Sequence, residues 1–206
     1  MSTHGYSDRI NHALAFAAKY MTPRGQSGSG MQHFSRPANV AVVLARYDCD
    51  EPTIIAGILS NVVSEAFWTL RMQLEPKIEE KFGTVVAGIV KEAAEPRFDA
   101  RGRERNWEVC RMDYLANLAA ASPRALDVCT ANQIHFCAST LTDIRRLGVE
   151  YLSTFAEANR DQALWWYRSV ITALEGLPTG PRAGMLIELR GLADLLAREL
   201  ERSDPA

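Results

Sequence analysis

The chain has 206 residues, 47% of them hydrophobic and 23% charged, with a formal net charge of -2. This is enough apolar content for one globular domain with a real core, and the near-neutral balance excludes a global electrostatic drive toward nucleic acid or an anionic membrane. The start, Met1 to Arg9, is polar and no long uncharged apolar run follows, so neither a secretion signal nor a membrane span is expected and a cytoplasmic location is.

The first amphipathic helix is predicted over Ser7 to Tyr20, with Ile10, Ala13, Leu14, Ala17 and Ala18 on one face and Ser7 or Asp8 as its cap. Thr22 to Gly30, dense in Gly and Ser, reads as a flexible connector; without a preceding strand or a following Lys-Ser/Thr, a phosphate cradle is the weaker reading. Pro37 suits the first turn of a second helix carrying Val40, Val42, Val43 and Leu44. Asp50 caps a third, predicted over Glu51 to Trp68, where Pro52 sits early enough to be tolerated.

Glu75 to Phe82 reads as a helix ended by Gly83, and Val85 to Ala94 as the next. The polar run from Glu95 to Arg105 reads as a loop before a helix over Trp107 to Ala121. Ser122-Pro123 opens a long helix, Arg124 to Leu147, that Gly148 ends; Tyr151 to Ala158 and Arg160 to Glu175 follow. After Gly176 a linker leads to a last helix, Ala183 to Leu200, with Met185, Leu189, Leu192, Leu195 and Leu196 on one stripe. No segment alternates with period two, so the expected fold is an all-α bundle of roughly nine to ten helices, with 1–176 as the domain and 177–206 as a linker and added helix. Cys49, Cys110, Cys129 and Cys137 lack metal-binding or redox spacing and are expected as reduced, packed thiols.

Several segments carry a resemblance when taken in order: FAAKYM (Phe16 to Met21) with Gly25-Gln26, Arg36-Pro37 with VAVVL (Val40 to Leu44), and TIIAGILSNVVSEAF (Thr53 to Phe67). YLANL (Tyr114 to Leu118), the Ala121 to Pro123 turn, ANQIHF (Ala131 to Phe136) and LWWYRSV (Leu164 to Val170) complete the series. From about Tyr6 to Glu175 the chain resembles the HD-domain metal-dependent phosphohydrolases, and among them the small alarmone (ppGpp) hydrolases of the Rel/Spo type. The resemblance implies an all-helical HD domain and a site where two histidines, a His-Asp pair and a distant Asp hold one divalent cation, usually manganese. That ion would activate the water that removes pyrophosphate from the 3′ position, with a Glu-Asp pair assisting proton transfer.

The positions matching those ligands hold Met21, Arg36, Ser60, Asn61 and Asn132, and the Glu-Asp pair is matched by Ser64 and Glu65. Amides keep the shape of carboxylates without the charge that offsets a dication, Ser60 is too short to replace an imidazole, and a thioether is a poor partner for manganese. Arg36 cannot offer a lone pair and carries a permanent positive charge. A dication a few ångströms from it would meet several kcal/mol of repulsion. The expectation is therefore a pseudoenzyme with no resident cofactor, in which Glu65 pairs with Arg36; the alternative is an HD phosphohydrolase with residual or rebuilt activity on ppGpp or another nucleotide.

Arg24, His33, Arg36 and Gln133 form a candidate pocket for a guanine nucleotide or phosphate, weighed against Arg36 being locked in an internal ion pair. His33 and His135 could form a replacement metal pair, but His135 matches a non-ligand histidine, so a packed or hydrogen-bonded histidine is the expected reading. Trp165, Trp166 and Tyr167 read as core or interface aromatics. The Leu-rich stripe of the last helix is a candidate contact for a homo- or hetero-oligomer.

Overall fold

A computed structural model describes residues 7–21, 34–152, 159–178, 180 and 182–202. Within them the helices are α1 (Asp8–Tyr20), α2 (Ser35–Arg46), α3 (Glu51–Glu65), α4 (Trp68–Phe82), α5 (Thr84–Ala93), α6 (Trp107–Leu118), α7 (Pro123–Leu147), α8 (Arg160–Glu175) and α9 (Ala183–Arg202). The only β pairing among the described residues is one isolated bridge between Phe98 and Glu104, in the segment read as a loop. The fold is all-α, as the absence of alternation predicts.

Local chemistry sets the helix starts. Ser7 accepts from the Ile10 N–H, Asp50 from Thr53, Ser122 from Ala125, and Asn159 forms a reciprocal capping box with Gln162. The third helix is shorter than the sequence predicts. It stops at Glu65 because Ala66 and Phe67 are extended, and Trp68 begins α4 rather than closing α3. That start lies well before Glu75, with Pro76 inside the helix. The proline leaves the Met72 carbonyl without its helical donor, at a residue that is half-exposed.

Helix α3 is the axis of the molecule. Every residue from Thr53 to Val63 is buried, and α1, α2, α4, α5 and α7 pack around it. A helix apolar on all sides has to be enclosed in this way, and each fully buried Ile55, Ile58 or Leu59 side chain contributes about 1.5–3 kcal/mol. Gly57 lets α2 come close: a Cβ there would lie 2.4 Å from Leu44 Cδ1 and 3.2 Å from Val40 Cγ1.

The largest helix–helix contact is between α7 and α9, and α9 also packs on α8. Met185, Leu189, Leu196 and Leu200 are buried there, so most of the stripe seen in the sequence is covered by the chain itself, while Ile187 and Leu195 face outward. Polar contacts fix the same helix. Glu188 accepts from Arg46 and from the Tyr47 hydroxyl (2.6 Å), Glu199 from Arg145 (2.9 Å), and buried Asp127 pairs with Arg182. All four cysteines are free and buried. Desolvation pushes the Cys49 and Cys137 thiols up to about 12 and Cys129 up to about 11, which keeps them protonated. Among the described residues no helix is long and apolar enough to cross a membrane.

Candidate functional site

The first turn of α2, the end of α3 and the middle of α7 meet around Arg36. Its Nη1 donates to Glu65 Oε1, and its guanidinium lies over the Phe136 ring with 3.7 Å between the central carbon and the ring centroid. Both partners of the ion pair are largely shielded, at 20% and 27% exposure. Such shielding strengthens the attraction at the cost of desolvation, and the aromatic face supplies further favourable contact for the cation. Burial lowers the pKa of Arg36, opposed by the charges of Glu65 and Glu95.

Asn61 lies one turn before Glu65 on α3, as Asn132 lies one turn before Phe136 on α7. The two asparagines are buried but differ in their bonding. Asn61 Nδ2 donates to the Gly57 carbonyl at 2.7 Å, which also accepts from Ser60 Oγ at 3.1 Å, whereas Asn132 Oδ1 is buried without a partner. Ser60 and Asn61 thus spend donors on their own helix. The Ser64 carbonyl accepts from Arg97 at 3.5 Å. Met21 ends α1 and packs against the core. Gln133 Oε1 accepts from Trp166 Nε1 at 3.0 Å. Arg24, His33 and Gly25-Gln26 lie outside the described residues.

Burial, with the neighbouring Arg36 charge, pushes the pKa of His135 down to about 4, so the imidazole is neutral at ordinary pH. It is packed, as the sequence reading expects. Among the described residues no group of three or more His, Cys, Asp or Glu side chains is placed to hold a metal ion.

A second ion pair accompanies the first and was not read from the sequence. Arg111 on α6 bonds Glu95 at 2.7 Å, and its guanidinium stands 4.4 Å from the Trp166 ring centroid and 5.5 Å from that of Trp107. The charges of Arg111 and Glu95 both act on Arg36. The signal was present in the helical wheel: Arg111 shares the inward face with Trp107, Cys110, Tyr114 and Leu118, an unusual place for a cation without an acidic partner. The Nε atoms of Arg36 and Arg111 are both buried and unpartnered. Trp166 and Tyr167 are core residues; Trp165 stays 39% exposed and meets Trp107 at 6.2 Å.

The sequence profile of the HD domain family matches residues 13–157. No curated protein matches the chain. Among solved structures, lmo0812 from Listeria monocytogenes EGD-e is similar at 19% identity and TM-score 0.64, covering 81% of this chain and 99% of that one. A metazoan ortholog of SpoT, described as hydrolysing ppGpp and acting in starvation responses, is similar at 21% identity and TM-score 0.68, covering 91% of this chain and 94% of that one. With α3 and α7 at its centre and the matched region running from α1 past α7, the chain belongs to the HD domain family.

Proposed function

We propose that this chain is a catalytically inactive HD-domain pseudo-hydrolase, related to the (p)ppGpp 3′-pyrophosphohydrolases, that works by binding a nucleotide or phosphate or by contacting another protein. The observation that carries the proposal is the ion pair of Arg36 and Glu65. It sets a permanent cation and its neutralising carboxylate at the positions that the family resemblance gives to a metal ligand and to a proton-transfer residue. The available donors do not fit a divalent ion: amides, a hydroxyl and a thioether supply no negative charge, and Glu65 is already engaged. Without a dication to acidify water, hydroxide is not generated near neutrality, and a neutral His135 faces a cation rather than a water-activating partner.

A ligand-binding role is supported by three polar atoms on this group of residues that are buried and unpartnered: Arg36 Nε, Arg111 Nε and Asn132 Oδ1. Two donors and one acceptor suit an oxyanion-bearing ligand with a hydrogen to donate. A protein partner on the outer side of α9, where Ile187 is 65% exposed, is the other route. Purified protein should release no pyrophosphate from ppGpp in the presence of manganese. Calorimetry with ppGpp should show binding that Arg36→Ala weakens at least about tenfold, the loss of one charge-assisted contact. Manganese-dependent pyrophosphate release by the wild-type chain, abolished by Asn61→Ala, would overturn the reading.

A further inference from the structure

Away from this site, α4 and α5 form a hairpin about Gly83, whose φ of 89° turns the chain between them. The outward side of the hairpin is a groove of about 420 Å3. Its floor is Ile78 and Val90, its walls Met72, Pro76, Ala87 and Gly88, and its rim Glu75, Glu79, Thr84 and Lys91. Two exposed apolar side chains stand on the hairpin, Met72 in the groove wall at 50% and Val85, next to the rim residue Thr84, at 53%. At Gly88 an added Cβ would meet nothing within 4 Å, so the groove is open where the wall is thinnest.

The rim charges are divided between the helices. The α4 side is acidic, with Glu75 and Glu79, and the α5 side carries Lys91. Glu75 is held by Arg71 at 3.0 Å, whereas Glu79 and Lys91 have no ion-pair partner among the described residues. Glu75 and Lys91 are equally far from Gly83 along the chain, on opposite arms of the hairpin. A two-fold axis running along the groove exchanges the two arms while keeping distance from the turn. It therefore sets Glu75 of one copy opposite Lys91 of the other, with Glu79 one turn nearer the bend, and brings Gly88 to the level of Ile78 on the other copy's α4, where the open backbone leaves room for close approach. An isologous contact needs this kind of self-complementarity, in which one patch carries both signs on opposite sides of the axis.

We infer that the α4–α5 face is a homodimer contact and that its occupant is a second copy of this chain. The inference is independent of whether the HD site binds or hydrolyses anything. Sedimentation of the full chain from low micromolar to hundreds of micromolar concentration should show a monomer–dimer equilibrium. Gly88→Gln fills the groove at a point with free space and replaces the poorest helix former short of proline, so it should keep or raise Tm. It should nevertheless weaken the dimer at least about tenfold, the scale of losing one well-packed interface contact. Lys91→Glu should abolish self-association, and mixing it with the Glu75→Lys, Glu79→Lys double variant should restore a heterodimer. A wild-type chain that stays monomeric throughout, whatever else then occupies the groove, would overturn the inference. So would a dimer indifferent to Gly88→Gln, or charge-swapped variants that fail to pair.

Discussion

Arg36 cannot be neutralised by losing its proton, so Glu65 neutralises it in place, and the two depend on each other. Replacing Arg36 by Met leaves Glu65 half-buried without a cation, and equilibrium denaturation should show a loss of about 1–3 kcal/mol. The Arg36→Met, Glu65→Met double variant should lose less than the sum of the two single changes, because the stranded charge is then gone. His135 gives a pH signature at the same spot. Its pKa falls from 6.5 unfolded to about 4 folded, so the unfolded chain binds more protons between those values. The stability His135 contributes is complete above pH 6.5 and is lost as pH falls toward 4, a change of up to about 3 kcal/mol. His135→Gln should flatten the fall of Tm across that interval; an unchanged pH profile would count against a buried neutral imidazole. The pairing of Arg36 with Glu65 could be read from the sequence because charge and position both demanded it. For Arg111 the helical wheel signals only that an inward-facing cation needs an acidic partner; that the partner is Glu95, in the loop before α6, follows only once α6 has packed.

At the scale of the helix, Ser7, Asp50 and the Ser122-Pro123 step mark helix starts in the sequence, and the structure closes each of those first turns, as well as the one after Asn159, by a side-chain bond. Where the chain turns without such a marker the reading slipped. Phe67 offers no side-chain cap to α4, and Pro76 imitates a helix start one residue after Glu75, so the first two turns of α4 were missed. The proline is tolerated because the carbonyl it leaves without a helical donor belongs to Met72, a half-exposed residue. Close packing of α2 on α3 rests on a single missing side chain. Gly57→Val would drive into the fully buried Leu44 and Val40, and chemical denaturation should register a loss of about 1–3 kcal/mol from overpacking. Unaltered stability would mean that α2 can retreat, contrary to the burial of Val40 and Leu44.

Across the whole molecule, the order of motifs exposed the all-helical HD architecture, while the fate of the last helix did not follow from its pattern. An amphipathic stripe says that a face must be covered without saying by what. Here α7 and α8 cover it, and Arg182, Glu188 and Glu199 tie it to the body through Asp127, Arg46 and Arg145. A chain ending before Ala183 would expose the surfaces on which Met185, Leu189, Leu196 and Leu200 rest; it should bind a hydrophobic dye and aggregate, while a compact, dye-silent truncated chain would show that α9 is dispensable. The central claim concerns charge at the heart of the HD domain, where a guanidinium and its carboxylate stand at positions the family resemblance gives to a metal site. Its most direct test is the manganese content of the purified wild-type chain after incubation with excess ion and desalting. The account predicts no retained manganese and a Tm that neither manganese nor a chelator shifts; one retained ion per chain with a raised Tm would contradict it.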